Sequence, residues 1–168
     1  ARPRPLPVPG AEAPNVHALR TRADAEALAA DLSACRAQGL PVVVVGGGFI
    51  GLEVAATARK LGLAVTVLES APRLLGRVLS PLLSDWYAEL HRGHGVALAL
   101  GAGVAAIETG GDGRAAAVIG SAGQRWPAAL VVVGVGVLPN DELAGEAGLA
   151  CDRGIVVDEA ARTADPAI

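Results

Sequence analysis

Residues 42–56 read VVVVGGGFIGLEVAA. Four β-branched residues in a row suit a strand buried on both faces, as in a parallel sheet, because such a strand shows no polar face. Three glycines end the run. From Phe49 the apolar residues recur at helical spacing, and Gly62 follows as a stop. AVTVLE at 64–69 is a second apolar run of strand length. A strand, a helix and a strand within about 30 residues make a βαβ unit, with parallel strands and a right-handed crossover.

Gly46, Gly48 and Gly51 spell G-x-G-x-x-G across the strand–helix junction. In a dinucleotide turn each glycine has its own task. Gly46 allows the tight turn off the strand. Gly48 lets the backbone approach a pyrophosphate with no Cβ in the way. Gly51 lets the helix pack close to the sheet. The unpaired N–H groups of the helix N-terminus then face the anion. The motif alone is weak, but here it follows a strand, opens a helix and leads to a second strand ending in Glu69. Glu69 lies 18 residues after Gly51, where an acid accepts hydrogen bonds from the adenosine ribose. A carboxylate there repels a 2′-phosphate and favours NAD(H) over NADP(H). Arg73 and Arg77 follow closely and either blunt that preference or are solvated loop cations. An FAD turn has the same glycines and acid, so spacing leaves flavin open.

Glu53 interrupts the apolar helix face. It reads either as an acid placed by the helix dipole or as a carboxylate reaching over a bound cofactor, and spacing does not decide between them. LVVVGVG at 130–136 is another buried strand ending in glycines. Ligands of parallel sheets sit beyond the carboxyl ends of the strands. If this strand neighbours 42–45, both glycine clusters line one crevice; otherwise GVG is a turn before Pro139.

The rest of the chain bounds the function by exclusion. Its 168 residues suit one domain. Apolar residues make up 52% and aromatics 2%, so the core is built from Ala, Val and Leu. Net charge is −3, and the 14 basic residues are scattered arginines plus Lys60, which excludes nucleic acid and acidic membranes as partners. No apolar run approaches the ~20 residues of a membrane span. Cys35 and Cys151 stand apart without a CxxC and read as two buried free thiols of a cytoplasmic protein. His91 and His94 fall at a helix end and read as partners of its last carbonyls rather than metal ligands. There is no G-x-S-x-G elbow, and Tyr87 and Lys60 do not form a Tyr-x-x-x-Lys pair. No catalytic residue and no metal ligand is assigned. The chain reads as a cofactor module whose reaction partner lies elsewhere.

Residues 1–16, with five of the eleven prolines, read as an extended linker. The chain has no methionine and begins with Ala, so it is expected to be a piece of a longer protein. Thr21 and Asp24 form an acidic capping box for a helix over 22–38. Ser80-Pro81 opens a helix running to about His91, before a strand at 96–100. Glycines at 110, 111, 113 and 120 divide 103–127 into antiparallel hairpins. A short helix near 141–147 and a strand at 154–158 complete the tail. The expected fold is α/β, a Rossmann-like three-layer domain with a central parallel sheet and an antiparallel β-meander.

Together these stretches resemble the NAD-binding domain of the FAD-dependent pyridine nucleotide oxidoreductases, in particular the ferredoxin reductases of oxygenase systems. VVVVGGGFIGLEVAA (42–56), SDWYAELHRGHGV (84–96), GVGVLPNDELAGEAGLACDRGIVVD (134–158) and RTADPAI (162–168) are the matching segments, and 2–28 is similar to the family's link from the first flavin domain. The resemblance implies an enzyme of FAD domain, NAD domain and C-terminal domain, in which NADH reduces FAD and FAD passes single electrons to a [2Fe–2S] ferredoxin. It implies boundaries of 1–16 for the linker from an FAD domain, 17–158 for the NAD(H)-binding domain and 159–168 for the return to the FAD domain. Gly46, Gly48 and Gly51 then match the pyrophosphate turn, and Phe49 and Ile50 the helix start beside the cofactor. Glu53 matches a carboxylate near the nicotinamide carboxamide, Glu69 the ribose acid, and Val135 and Gly136 backbone contacts on the nicotinamide side. The family's flavin motifs have no counterpart here, so FAD is expected to be bound by other segments and the chain alone to be inactive. A nitrite reductase or CoA-disulfide reductase branch, or a binding-only NAD(H) module, is the alternative.

Overall fold

Every residue of the valine run is buried, and the run is the middle strand of a five-stranded parallel sheet. The computed structural model describes residues 1–168. In chain order the elements are β1 (Arg2–Pro3), β2 (Val16–Ala18), α1 (Arg22–Gln38), β3 (Val42–Val45), α2 (Phe49–Lys60), β4 (Val65–Glu69), α3 (Pro81–Gly93), β5 (Val96–Leu100), β6 (Val104–Thr109), β7 (Ala115–Gly120), β8 (Arg125–Pro127), β9 (Leu130–Val133), β10 (Val137–Leu138) and α4 (Glu142–Glu146). They form two units, residues 5–136 and residues 1–4 with 137–168.

In the larger unit the sheet runs β2-β9-β3-β4-β5 with every pair parallel. Strand side chains alternate between faces, and the core divides accordingly. Val42, Val44, Val65, Val67, Val96, Leu130 and Val132 pack with the apolar faces of α1, α2 and α3. Val43, Val45, Leu68, Val131 and Val133 pack with Ile107, Ala115 and Val118 of the antiparallel β6-β7-β8 meander. The result is the expected three layers, helices, parallel sheet and meander.

Local signals place the helix ends. The Thr21 hydroxyl accepts from the Asp24 N–H, and the Asp24 carboxylate accepts from the Thr21 N–H at 2.7 Å. Such a cap contributes about 1 kcal/mol. Ser80 is the N-cap of α3 with Pro81 at its first turn, although the Ser80 side chain makes no capping bond. Gly39 ends α1 in the left-handed conformation, as expected, but the C-terminal end of α3 differs from expectation. Arg59, not His91 or His94, serves a carbonyl there: its Nε donates to the His94 carbonyl at 3.1 Å, while its Nη1 donates to the Leu63 carbonyl at 2.5 Å.

The Pro-rich start contains more than an extended path. Asn15 is 1% exposed. Its Nδ2 donates to the carbonyls of Ala115 and Ala129, and its Oδ1 accepts from the Ala115 N–H at 2.7 Å. Its own carbonyl accepts from Val131, and the next residue begins β2. One side chain thus fastens the segment to both the meander and the sheet.

In the smaller unit β1 pairs antiparallel with β10, and Arg2 donates to the Pro139 carbonyl and to Asn140 Oδ1. The helix expected near 141–147 is α4. The strand expected at 154–158 does not form. A single bridge joins Cys151 to Ile155, and Ile155, Val156 and Val157 stay about half exposed. That apolar run has no neighbouring strand in its unit to complete a ladder. The two cysteines also differ from expectation. Cys35 is buried in the helix-side core, and burial raises its thiol pKa. Cys151 is exposed because it sits at the lone bridge and not in a core.

Candidate functional site

The site is built where β3 and β9 end. The two strands pair in register, with Val45 opposite Val133, so their glycine clusters leave the sheet side by side. The Gly134 N–H donates to the Val45 carbonyl at 2.7 Å, and the Gly46 N–H to the Leu68 carbonyl at 2.8 Å. The condition for one shared crevice, that the two strands are neighbours, is met.

Each glycine of the turn is constrained differently. Gly46 has φ +110°, and a Cβ there would collide with the Gly134 carbonyl. A Cβ on Gly51 would strike the carbonyl oxygen of Gly46. These two positions are glycine because three backbone segments touch. Gly48 is different: its φ of −85° suits any residue, and its Cβ would stand in open space. Neither packing nor dihedral requires glycine there, which leaves the space beside its backbone clear for something outside the chain.

Gly48 is also the N-cap of α2, and having no side chain it makes no capping bond. The amides of Phe49 and Ile50 find no acceptor in the chain. The helix thus begins with unpaired donors and the positive end of its dipole, an arrangement suited to an anion. Phe49 and Ile50 are half exposed at this first turn, and Glu53 is exposed one turn further along. Positions 49, 50 and 53 share one side of the helix by their spacing. On the β9 side, Val135 is partly exposed and Gly136, at φ +110°, is exposed.

Glu69 ends β4 beside this turn and organises it. Its Oε2 accepts from the Gly47 N–H at 2.7 Å, and its Oε1 accepts from the Ala71 N–H at 2.8 Å. Gly47 is gripped from its other side as well: its carbonyl accepts from the Leu75 N–H at 3.0 Å, and a Cβ would press on Leu74 and on the Glu69 carboxylate. Gly47 is a variable position of the motif, and Leu74 and Leu75 lie outside it as one of two apolar pairs in the loop at 70–80, so nothing local marks these three residues. Leu75 adopts φ +54°, which costs a non-glycine residue about 1 kcal/mol. Arg73 is turned away toward α3, where Nη1 donates to the buried Ser84 Oγ at 3.2 Å and Nη2 to the Gly76 carbonyl at 3.4 Å. Of the two loop arginines only Arg77 is exposed.

No group of three or more His, Cys, Asp or Glu side chains is placed to hold a metal ion. No helix is long and apolar enough to cross a membrane.

Comparison with known proteins places the chain in a family. The family model described as pyridine nucleotide-disulphide oxidoreductase matches residues 1–168. The chain is 51% identical to rhodocoxin reductase of Rhodococcus erythropolis over 98% of its own length and 38% of that protein's. Among solved structures it superposes at a TM-score of 0.91 and 44% identity on the ferredoxin reductase of the CYP199A2 system from Rhodopseudomonas palustris, covering 98% of this chain and 40% of that one. It superposes at 0.86 and 45% identity on the reductase chain of a covalent putidaredoxin reductase–putidaredoxin complex, again covering 98% and 40%. The chain spans about two-fifths of the length of these proteins. With its whole length matched and its parallel sheet and meander superposed, the chain belongs to the pyridine nucleotide-disulphide oxidoreductase family.

Proposed function

We propose that this chain is the NADH-binding part of a flavin-dependent ferredoxin reductase, with residues 17–158 as the NAD(H)-binding domain between a linker and a return segment to an FAD domain. The observation that supports this most is the open space beside Gly48, set between the unpaired amides of α2 and the glycine turn of β9. A diphosphate fits there with its charge on the helix N-terminus. Gly46 and Gly51 shape the turn, and Gly48 admits the pyrophosphate. Phe49 and Ile50 flank it. Glu53 lies toward the nicotinamide carboxamide, with Val135 and Gly136 on the nicotinamide side. Glu69 accepts from the ribose through the lone pairs that the Gly47 and Ala71 amides and the Ser70 hydroxyl leave free. Arg73 is occupied at Ser84, so the acid stands without a held cation beside it, which favours NADH over NADPH.

In the parent protein, FAD supplies the conversion of a two-electron hydride into single electrons for a [2Fe–2S] ferredoxin. Two relatives support that partner class: one is named a ferredoxin reductase, and the other was solved joined to putidaredoxin. This chain's own part is to bind and orient the dinucleotide.

NADH titrated into the chain is expected to bind saturably but weakly, since the flavin side of the site lies on other segments. No saturable binding of NADH or NADPH at millimolar ligand would overturn the reading. A longer protein carrying this chain is expected to be yellow and to oxidise NADH with a [2Fe–2S] acceptor. A colourless protein that fails to oxidise NADH with any acceptor would leave only a binding module.

A further inference from the structure

A cavity of about 320 Å³ opens between α2 and α3 at the ends remote from the glycine turn. It is lined by Ala56, Arg59, Lys60, Leu90, His91, His94 and Val96. The apolar floor is Ala56 and the buried Val96, with Leu90, 39% exposed, beside them. Every polar lining residue is basic or able to become so, and no Asp or Glu takes part. The chain has a net charge of −3 and only one lysine, Lys60, and that lysine is here.

The donors of this rim are available. Arg59 is held in place by two carbonyls, through Nε and Nη1, and its Nη2 is left without an acceptor. Lys60 is exposed and makes no ion pair. His91 is 8% exposed, yet its ring makes no hydrogen bond to the chain, and the His94 ring makes none either. Burial and the neighbouring His94 both hold the His91 pKa below the usual imidazole range.

We propose that this cavity binds a small amphipathic carboxylate, a ring or short acyl body bearing one anionic group. The volume is at the lower end of the ~300–1,000 Å³ of small-molecule sites. The floor rewards an apolar body, and the rim supplies charge-assisted donors for a carboxylate. A bare inorganic anion gains nothing from the floor, and a neutral apolar ligand leaves the donors unpaired while it excludes their water. The site does not depend on the NADH reading, because none of its residues belongs to the glycine turn.

The test is a titration of the ¹⁵N-labelled chain with benzoate, benzamide and inorganic phosphate, followed by amide and imidazole shifts. Benzoate is expected to shift the signals of residues around His91 and His94 saturably, with Kd on the order of 1 mM. Benzamide and phosphate should each bind about tenfold more weakly. Lys60→Gln, an exposed change that leaves the remaining spectrum in place, should weaken benzoate by about threefold or more. Three results would each overturn the proposal: no saturable benzoate shift, benzamide or phosphate binding as tightly as benzoate, or an unchanged benzoate Kd in Lys60→Gln.

Discussion

β3 and β9 are neighbours, four buried residues each, and both run out into glycine. Their ends nevertheless do different work. The chain leaving β3 turns at Gly46 and passes directly into α2, whose first amides are unpaired. The chain leaving β9 reaches Gly136 at the same φ of +110° but starts no helix in its unit, so it offers only flat backbone. What separates unpaired helix amides from flat backbone is therefore the element that follows the glycines and not the glycines themselves. The same sorting applies within the turn. Gly46, Gly47 and Gly51 are enforced by their neighbours, whereas Gly48 is not.

The largest effect is expected at Gly46. Gly46→Ala places a Cβ against the Gly134 carbonyl in a left-handed conformation, and the Gly134 N–H bond to Val45 keeps that carbonyl from moving away. A loss of about 3 kcal/mol or more is expected in urea unfolding. Gly51→Ala tests the same contact from the other side. It gains about 1 kcal/mol of helix propensity but drives its methyl onto the Gly46 carbonyl, so a net loss is expected. A gain in stability would mean that the two turns are not locked together.

Glu69 comes next, since it ties the β3 turn to the loop after β4. Glu69→Arg removes acceptors from the Gly47 and Ala71 amides, at about 2 kcal/mol. It is also expected to shift preference from NADH toward NADPH, read by parallel titrations. Lower stability with an unchanged preference would make Glu69 purely an organiser of the turn and remove it from the ribose.

Gly48→Ala separates binding from folding. Alanine suits the backbone there, and its methyl points into open space. Stability should change by less than about 0.5 kcal/mol. Affinity for NADH should fall about tenfold, or ~1.4 kcal/mol, because the methyl would stand in the path proposed for the pyrophosphate. Undiminished NADH binding in a folded Gly48→Ala chain would put the diphosphate somewhere else.

Much of this architecture was legible in the sequence because its signals are local. A run of four valines has one sensible place in a parallel sheet, and Thr21, Asp24 and Gly39 mark the two ends of α1 within a few residues of their effects. The adjacency of β3 and β9 was readable only as a condition, since strand order is decided by packing between distant segments. Asn15 lay beyond that reach. The three hydrogen bonds of its side chain reach Ala115 twice and Ala129 once, about a hundred residues away, and β2 beside it is too short to show a period. Glu69 shows the same limit at the site. Its position announced an acid at a strand end, but the amides it holds belong to residues whose approach depends on the loop through Leu75. Cys151 and the run at 154–158 failed in the opposite way: a favourable local pattern met no partner in its unit.

The smallest effect is expected at Gly134, and it bears most directly on the difference between the two ends. Gly134 sits in the β9 turn as Gly46 sits in the β3 turn, and its carbonyl is the very group that forbids a side chain at Gly46. Yet its own φ is not left-handed, and a Cβ there would meet the Gly51 amide nitrogen at 3.4 Å and the Val45 carbonyl at 3.8 Å, both ordinary contacts. Gly134→Ala should therefore change stability by no more than about 0.5 kcal/mol, with entropy lost from the unfolded chain offsetting part of any strain. The two partners in one backbone contact would then differ several-fold in their tolerance of the same methyl group. A loss at Gly134 as large as that at Gly46 would mean that the crevice is equally tight on both sides, and that its one-sided clearance beside Gly48 is not what admits a ligand.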